Sequence, residues 1–320
     1  MKNKQNKEPS FSIIIPNYNG AHFIQPCLES LIKSLKESKN TYEIIIIDNA
    51  SVDDSILKIK KLQNSLKSTN WRIEINQSNK GFAPAVNQGI KLAKYKYVVL
   101  CNNDLTVDKK YFSLLTSAIN THPQYTAFVG TVLNKEGTKF ESQGLKFYYS
   151  GKCDNILNQQ PIVQRLIDRK AQKIWGASAA LVTYNKEIIQ KIGAFDEDFF
   201  AYEEDVDLAL RLHKLKYHTL LIPQALCYHL GGGTSGKMGN FRHKMDLKNW
   251  IFLIIKNYSL KEIIFNFFGI VDQRLRNLSG LLKNTPDGQK INSLAWTYKE
   301  IISNIPKMIK KRKNIQSLLK

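Results

Sequence analysis

The chain has 320 residues, of which 43% are hydrophobic and 23% charged, so it has enough apolar material for a substantial core. Its formal net charge of +20 would attract nucleic acid, anionic lipid or a phosphate-bearing substrate, and the charge alone does not choose among them. The four cysteines are scattered and form no CxxC pair, which argues against a zinc site or a disulfide framework and is typical of a reducing compartment.

No targeting or membrane-spanning pattern stands out in the chain. The basic, polar start is followed by no apolar segment, so we expect no signal peptide. The most apolar late stretch, 250–271, is interrupted by Lys256, Asn257, Lys261 and Glu262, which argues against a spanning helix of about 20 apolar residues. We therefore expect a cytoplasmic protein that lies at most peripherally on the inner face of the cell membrane.

In the first half, short apolar runs alternate with amphipathic helical patterns. The predicted strands are residues 11–16, 43–48, 72–76 and 97–101. The predicted helices between them are residues 22–38, 53–68 and 83–94. This alternation predicts an α/β fold, in which a mostly parallel central sheet carries helices on both faces. Ligands of such sheets bind beyond the carboxyl ends of the strands.

The second half mixes strands and short helices before a helical end. Residues 135–172 are predicted to form a hairpin followed by a polar loop. Further strands are predicted at 173–184, 217–222 and 225–229, and a helix at 204–215. From about residue 240 the pattern becomes helical, basic and amphipathic.

Polar residues follow the predicted strands, at the edge where ligands are expected. Asp48 ends a run of four isoleucines, where its carboxylate can accept a hydrogen bond from a base or ribose. The same stretch also has a structural interpretation, because Ser51, Asp53 or Asp54 can cap the next helix. Gly81 precedes another helix, whose N-terminus can bind an anion, although glycine there can simply permit a tight turn.

Two further positions favour a cation or a phosphate. Asp104 closes the run Asn102-Asn103-Asp104 after the fourth strand, where oxygen ligands suit a hard cation, although a polar turn would look the same. His229 ends the last strand and can ligate a metal or be purely structural. The glycine-rich run at 231–236 can wrap a phosphate or form a flexible loop.

The densest feature is an acidic segment, residues 196–207, which holds seven acids in 12 residues. Aromatic residues are interleaved with these acids. Crowded carboxylates beside aromatic rings raise one another's pKa, whereas a helix N-terminus lowers it, and the sequence leaves this balance open. One carboxylate with a raised pKa suits a general base, and the others can pair with Arg211.

Seven motifs in this order resemble the family 2 inverting glycosyltransferases of GT-A fold, closest to a bacterial rhamnosyltransferase-like branch. They are SIIIPNYNG, EIIIIDNASVDDS, NKGFAPAVNQG, VVLCNNDL, WGASAALV, GAFDEDFFAYEEDVDLALR and CYHLGGGTSG. The match covers roughly residues 10–240. The resemblance implies a GT-A nucleotide-diphospho-sugar transferase with a basic C-terminal helical extension.

The resemblance also implies a role for each matching residue. The nucleotide-sugar donor would be lined by Pro16, Tyr18, Asp48, Asn79, Gly81, Asn102 and Asn103. Asp104 and His229 would hold Mg²⁺ or Mn²⁺, although Asn102 replaces the first acid of the family's DxD motif. Asp205 would be the catalytic base beside Glu204, in a single in-line displacement with inversion. The acceptor would be a hydroxyl of a glycan or a lipid-linked molecule, in cell-surface polysaccharide synthesis.

Three other functions fit the sequence less well than sugar transfer. A nucleotidyltransferase would need a basic residue in the loop after the first strand, and residues 16–20 have none. A nucleic-acid binder would have no use for the acidic segment, so we expect no nucleic-acid partner. A catalytically silent nucleotide-sugar or polyanion binder is disfavoured by Asp104, Asp205 and His229.

The chain is expected to divide into a basic arm at 1–10, a GT-A domain at 11–240 and a helical region at 241–320. Residues 250–271 combine Trp and Phe with flanking Lys, and residues 301–320 carry six Lys or Arg and no acid, interleaved with apolar residues. Such a helix can bind an anionic membrane or pack on the core with a solvated basic face, and both can hold together.

Overall fold

The structure is a computed structural model that describes residues 8–66, 70–231 and 240–318. Its first half contains the predicted alternation, with element ends shifted by at most three residues. The elements are β1 (Phe11–Asn17), α1 (Ile24–Ser38), β2 (Tyr42–Asp48), α2 (Ser55–Ser65), β3 (Trp71–Ile75), α3 (Phe82–Leu92) and β4 (Tyr97–Cys101).

The second half adds shorter strands and a helical end. The strands are β5 (Leu105–Val107), β6 (Ala127–Asn134), β7 (Phe140–Ser142), β8 (Leu145–Phe147), β9 (Cys153–Asn155), β10 (Gln172–Ile174), β11 (Leu181–Asn185) and β12 (Thr219–His229). The helices are α4 (Tyr111–Thr121), α5 (Gln164–Ile167), α6 (Lys186–Lys191), α7 (Glu204–Lys214), α8 (Phe241–Asn257), α9 (Leu260–Phe265), α10 (Phe267–Lys283) and α11 (Lys290–Leu318).

The central sheet has the order β10-β12-β6-β11-β4-β1-β2-β3. Strands β4, β1, β2 and β3 are parallel neighbours, and β12 runs parallel to β6. Strand β11 is antiparallel to both β4 and β6, and β10 is antiparallel to β12. The predicted fold class is therefore confirmed, with the reversed strands in the second half of the chain.

Central strands are buried on both faces of this sheet. In β1, Ile13 and Ile15 pack on the side of α1 and α4, whereas Ile14 packs on the side of α3. A strand covered on both faces needs apolar residues at successive positions. This explains the unbroken isoleucines of β2, which divide between the same two clusters.

Two strand predictions in the second half were wrong. Residues 173–184 are not one strand, because the chain leaves the sheet after Ile174 and returns at Leu181. In between, Trp175 stacks on Phe147, with ring centroids 4.7 Å apart. The predicted strands 217–222 and 225–229 are a single strand, β12, whose register against β6 shifts near Pro223. Proline lacks an N–H donor for the ladder, so the strand is irregular there without ending.

The region 135–172 contains the predicted hairpin, formed by β8 and β9. It also contains β7, which pairs with β6, and the short helix α5. The glycine at 144 joins β7 to β8 with a φ of +103°, a conformation that favours glycine.

The helical end is packed against the α/β part. Ile301 and Met308 of α11 are buried in one cluster with Trp250 and Leu253 of α8 and Val206 of α7. The packed alternative for residues 301–320 is therefore confirmed for the described part of that stretch. None of the helices in the described residues is long and apolar enough to cross a membrane.

Candidate active site

A cleft with a volume of about 440 Å³ opens where the parallel strands end. Its lining comes mainly from the segments that follow β1, β2, β3 and β4 and from the start of α7. Further lining residues lie in β8 and β9, just before β11 and at the start of α8. The predicted site residues in this lining are Pro16, Tyr18, Asn79, Gly81, Asn102, Asn103, Asp104, Glu204 and Asp205. Folding thus brings together nine of the eleven predicted site residues, from four separate parts of the chain.

Asp48 lies behind the lining and not in it. It is fully buried, and its carboxylate accepts hydrogen bonds from Asn17 Nδ2 (2.7 Å), Ser51 N (2.9 Å) and Ser51 Oγ (2.6 Å). Asn17 Oδ1 in turn accepts from Asn103 Nδ2 at 2.7 Å. In this structure Asp48 therefore positions Asn17 and, through it, Asn103, while direct contact with a nucleotide stays a prediction.

The structure favours the turn interpretation of Gly81 over the anion-binding interpretation of the α3 N-terminus. The N–H groups of Phe82 and Ala83 donate to Phe200 O at 2.7 and 3.2 Å, so the acidic segment already occupies that helix end. Gly81 has a φ of +96°, and a Cβ there would lie 2.6 Å from Phe200 O. Glycine is required at this position because another loop approaches its backbone closely.

A polar corner surrounds Asp104. His229 Nε2 lies 3.1 Å from Asp104 Oδ2, and His229 Nδ1 lies 2.6 Å from Glu141 Oε2. The hydrogen bonds to Asp104 and Glu141 raise the pKa of His229 to about 10. Glu141 was not predicted, because a single acid in a short edge strand carries no signal of its distant partner.

Asp104 fits a role in binding a divalent cation. Its Oδ1 atom is buried and has no hydrogen-bond partner among the described residues. Carboxylate oxygen suits Mg²⁺ or Mn²⁺, whereas the imidazole of His229 can ligate a metal only after it loses the proton that its raised pKa retains. Within the described residues, no group of three or more Asp, Glu, His or Cys side chains is arranged to hold a metal ion. Further ligands of a cation at Asp104 would therefore come from the substrate or from water. Residues 232–236 of the predicted phosphate-wrapping run lie outside the described residues.

The acidic segment divides into two groups, and one group faces the cleft. Glu203, Glu204 and Asp205 line it at the start of α7. Asp205 accepts hydrogen bonds from Ala179 N (3.0 Å) and Val206 N (2.8 Å). Burial raises the pKa of all three carboxyls, and that of Glu204 reaches about 8. Desolvation therefore raises the pKa of these carboxyls by more than the helix N-terminus lowers it.

The other group is neutralised by cations from the helices. Asp207 pairs with Arg211 at 2.8 Å, as the sequence suggested, and also with Lys256 at 2.8 Å. Asp196 pairs with Lys256 at 2.6 Å and with Lys311. Burial opposes ionisation of Asp196, but the charges of Lys256 and Lys311 hold its pKa well below its usual range.

The cleft-facing loop of the acidic segment has a strained backbone. Phe200, Tyr202 and Glu203 have φ values of 65°, 68° and 64°, which residues other than glycine rarely adopt. The buried Asn249 of α8 holds this loop, because its Nδ2 lies 2.8–3.0 Å from the carbonyls of Phe199, Ala201 and Tyr202. Asn249 was missed because it looks like one polar residue in an amphipathic helix.

A mostly parallel sheet with this cleft at its carboxyl edge defines an α/β transferase fold of the GT-A type. Residues 12–193, more than half of the chain, match the sequence profile of Glycosyl transferase family 2, and the chain belongs to this family.

Two curated relatives are poly-β-1,6-N-acetyl-D-glucosamine synthases. The protein from Staphylococcus epidermidis is 24% identical over 279 residues, which cover 83% of this chain and 62% of the relative. The protein from Staphylococcus aureus strain COL is 26% identical over 246 residues, covering 72% and 54%. This chain therefore spans less than two thirds of the length of either relative.

Solved structures share the fold at low identity. GalNAc-T7 with UDP, GalNAc and Mn²⁺ has a TM-score of 0.64 at 15% identity, covering 94% of this chain and 58% of that one. S. aureus TarS 1–349 with UDP has a TM-score of 0.57 at 16% identity, covering 97% and 86%. The mannosyltransferase PcManGT from Pyrobaculum calidifontis, with GDP-Man and Mn²⁺, has a TM-score of 0.56 at 12% identity, covering 98% and 86%.

Proposed function

We propose that this chain is an inverting glycosyltransferase that moves one sugar from a nucleotide-diphosphate sugar to an acceptor hydroxyl. One observation carries the proposal. Asp104 and Asp205 lie far apart in the chain, yet both line the cleft at the carboxyl edge of the parallel strands. Nucleotides or nucleotide sugars in the structural neighbours support the class of donor.

Asp205 has the surroundings of a general base. Two backbone N–H groups orient its carboxylate, and burial raises its pKa, which strengthens it as a proton acceptor. The acceptor hydroxyl gives its proton to Asp205 while its oxygen bonds to the anomeric carbon. The bond from that carbon to the diphosphate breaks on the opposite face, so the configuration inverts and no sugar–enzyme bond forms.

Glu204 is a poor candidate for this base. Its pKa of about 8 keeps it largely protonated at neutral pH, and Glu204 Oε2 is buried without a partner in the described residues. A neutral Glu204 adds no charge beside Asp205. We therefore keep Asp205 as the base, with Glu204 as its neutral neighbour.

Asp104 and His229 are the residues that would hold Mg²⁺ or Mn²⁺. When bound, such an ion would neutralise the charge of the departing diphosphate. Asn102 and Asn103 beside Asp104 offer amide groups to the donor. Mn²⁺ in two structural neighbours supports this cofactor class.

The acceptor that we propose is a glycan or a lipid-linked molecule in cell-surface polysaccharide synthesis. The names of the staphylococcal relatives support this class of product. Rhamnose is the sugar favoured by the motif resemblance, and it is therefore one member of the donor panel below.

A panel of UDP-, GDP- and dTDP-linked sugars tests the proposal, scored by release of nucleoside diphosphate with Mn²⁺, with Mg²⁺ and with a chelator. We expect release from one donor class, dependent on the cation. Nucleotide binding without turnover of any donor, in the presence of a polysaccharide acceptor extract, would instead identify a silent binding protein.

A further inference from the structure

Helices α9 and α10 carry an exposed apolar surface that no part of the described chain covers. We call it the apolar wedge, and its residues are 40–87% exposed. They are Leu260, Ile264, Phe265, Phe267, Phe268 and Val271. Single exposed apolar residues are ordinary, but a contiguous group with three phenylalanines marks an interaction surface.

A loop rich in tyrosine lies beside the wedge. This loop, residues 148–152, joins β8 to β9, and a Cβ on Gly269 of α10 would lie 3.5 Å from the Cβ of Ser150. Tyr258 Oη also donates to Tyr149 O at 3.0 Å. Tyr149 is 60% exposed, and Lys152 Nζ lies 5.6 Å from the ring centroid of Tyr148. Exposed aromatic and lysine side chains next to an apolar surface are typical of a membrane interface.

The same hairpin reaches the cleft. Leu145 of β8 and Cys153 and Asn155 of β9 line the cleft, whereas the loop at 148–152 borders the wedge. Three residues of strand span about 10 Å, so a short surface connects the catalytic cleft with the wedge.

The charge around the wedge suits an anionic surface. Besides Arg274, whose guanidinium is buried, residues 145–155 and 260–283 contain five Lys or Arg and three acids. Each acid has a cationic neighbour: Asp154 pairs with Lys152, Glu262 with Lys214 and Asp272 with Arg276. A second copy of the chain docked through the same face would set one positive surface against another, which disfavours self-association there.

We propose that the apolar wedge rests on an anionic lipid bilayer and directs the cleft toward a lipid-linked acceptor. The direction toward an acceptor rests on the proposed function, whereas the lipid contact does not. Of the two stretches with a predicted membrane contact, this proposal selects residues 250–271, which contain the wedge, and not residues 301–320. There Lys307 and Lys311 pair with Asp198 and Asp196, and Ile301 is buried.

Flotation with vesicles tests the lipid contact. The vesicles are equimolar phosphatidylglycerol and phosphatidylcholine, or phosphatidylcholine alone, and no donor is added. The test variant is Phe265→Ser/Phe268→Ser. The matched controls are Leu57→Ser, a 67% exposed leucine on α2, and Ile302→Ser/Ile309→Ser on α11. We expect binding to the anionic vesicles to fall about tenfold or more in the wedge variant alone.

Three outcomes would overturn the lipid contact. In the first, the parent protein does not float with anionic vesicles. In the second, the wedge variant floats as well as the parent. In the third, the parent sediments as an oligomer and the wedge substitutions dissociate that oligomer. Melting temperature shows whether the variant is folded. Nucleotide release from the selected donor, measured without vesicles, should be unchanged, so failure of sugar transfer is distinguished from failure of membrane contact.

Discussion

Neighbouring acids of the chain differ at the scale of single residues because their surroundings differ. Asp205 has backbone donors on its carboxylate, the Oε2 atom of Glu204 is buried without a partner in the described residues, and Asp207 has Arg211 and Lys256. Burial raises the pKa of Asp205, against the effect of its backbone donors, and also that of Glu204. Burial opposes ionisation of Asp207 too, but the charges of Arg211 and Lys256 lower its pKa. Their roles as base, neutral acid and ion-pair partner follow from these contacts.

Replacement of Asp205 by asparagine should remove transfer while leaving donor binding nearly intact. The amide keeps the size of the side chain but cannot take the proton from an acceptor hydroxyl. We expect kcat to fall about 10²- to 10⁴-fold, with nucleotide affinity within about twofold of the parent. Steady-state kinetics and calorimetry measure the two effects, and the exposed Asp168→Asn is the control. Turnover near the parent rate would exclude Asp205 as the base.

Glu204 should make the stability of the protein depend on pH. Its folded pKa of about 8 lies above its ordinary value of 4.5, so its contribution to stability is present below pH 4.5 and is lost as the pH rises toward 8. Glu204→Gln stays neutral, so its melting temperature relative to the parent should rise by about 2–4 °C or more from pH 5 to pH 8. The exposed Glu187→Gln is the control for removal of a carboxylate from the surface. A difference in melting temperature between Glu204→Gln and the parent that stays constant with pH would contradict the raised pKa.

At the scale of elements, one helix holds the strained loop that shapes the cleft. Asn249 of α8 binds three carbonyls of this loop, and Lys248 Nζ donates to Asp198 O at 3.0 Å. Phe200 O in turn accepts from the start of α3. The loop geometry therefore depends on contacts with α3 and α8, which lie on either side of it in the chain.

Asn249→Ala should loosen this loop. Loss of its buried hydrogen bonds should lower the free energy of unfolding by about 1–3 kcal/mol. Because Tyr202 and Glu203 would relax from their left-handed conformations, we also expect kcat to fall more than nucleotide affinity. Thermal melts and kinetics measure both effects, with Asn284→Ala at the exposed end of α10 as the control. Wild-type kcat in a destabilised variant would show that the loop geometry does not need Asn249.

Across the whole molecule, buried ion pairs join the catalytic part to the helical end. Asp196 and Asp207 meet Arg211 of α7, Lys256 of α8 and Lys311 of α11. The residues of the predicted domain 241–320 therefore complete the surroundings of the acidic segment. Some of the 47 Lys and Arg residues of the chain therefore neutralise these carboxylates.

Lys307→Met/Lys311→Met should destabilise the protein at neutral pH by about 1–3 kcal/mol, because Asp196 and Asp198 lose their partners on α11. The pKa of Asp196 is lowered in the folded state, so this stabilisation is present above its ordinary pKa of 3.8 and is lost as the pH falls below it. The difference from the parent should therefore narrow in acid. Chemical denaturation at several pH values measures this difference.

Lys310→Met/Lys313→Met removes the same charge from exposed positions of the same helix and is the matched control. Equal effects of the two double variants would show that net charge, and not the ion pairs with the acidic segment, causes the destabilisation.

The sequence by itself determined the α/β class, the order of the first seven elements and nine residues of the cleft lining. Apolar periodicity records which faces of a helix or strand are buried, and strand ends in a parallel sheet share one edge. Residues such as Tyr18, Asn79 and Asp104 could therefore be placed near one another before any contact was known.

Only the tertiary structure decided which acids are free and which are paired. The cations that neutralise Asp196 lie on α8 and α11, and no local pattern announces them. The burial of Asp48, the pairing of Glu141 with His229 and the exposure of the apolar wedge have the same origin. The physical reason is that pKa and exposure depend on neighbours brought close by folding, whereas periodicity reports only the face on which a residue lies.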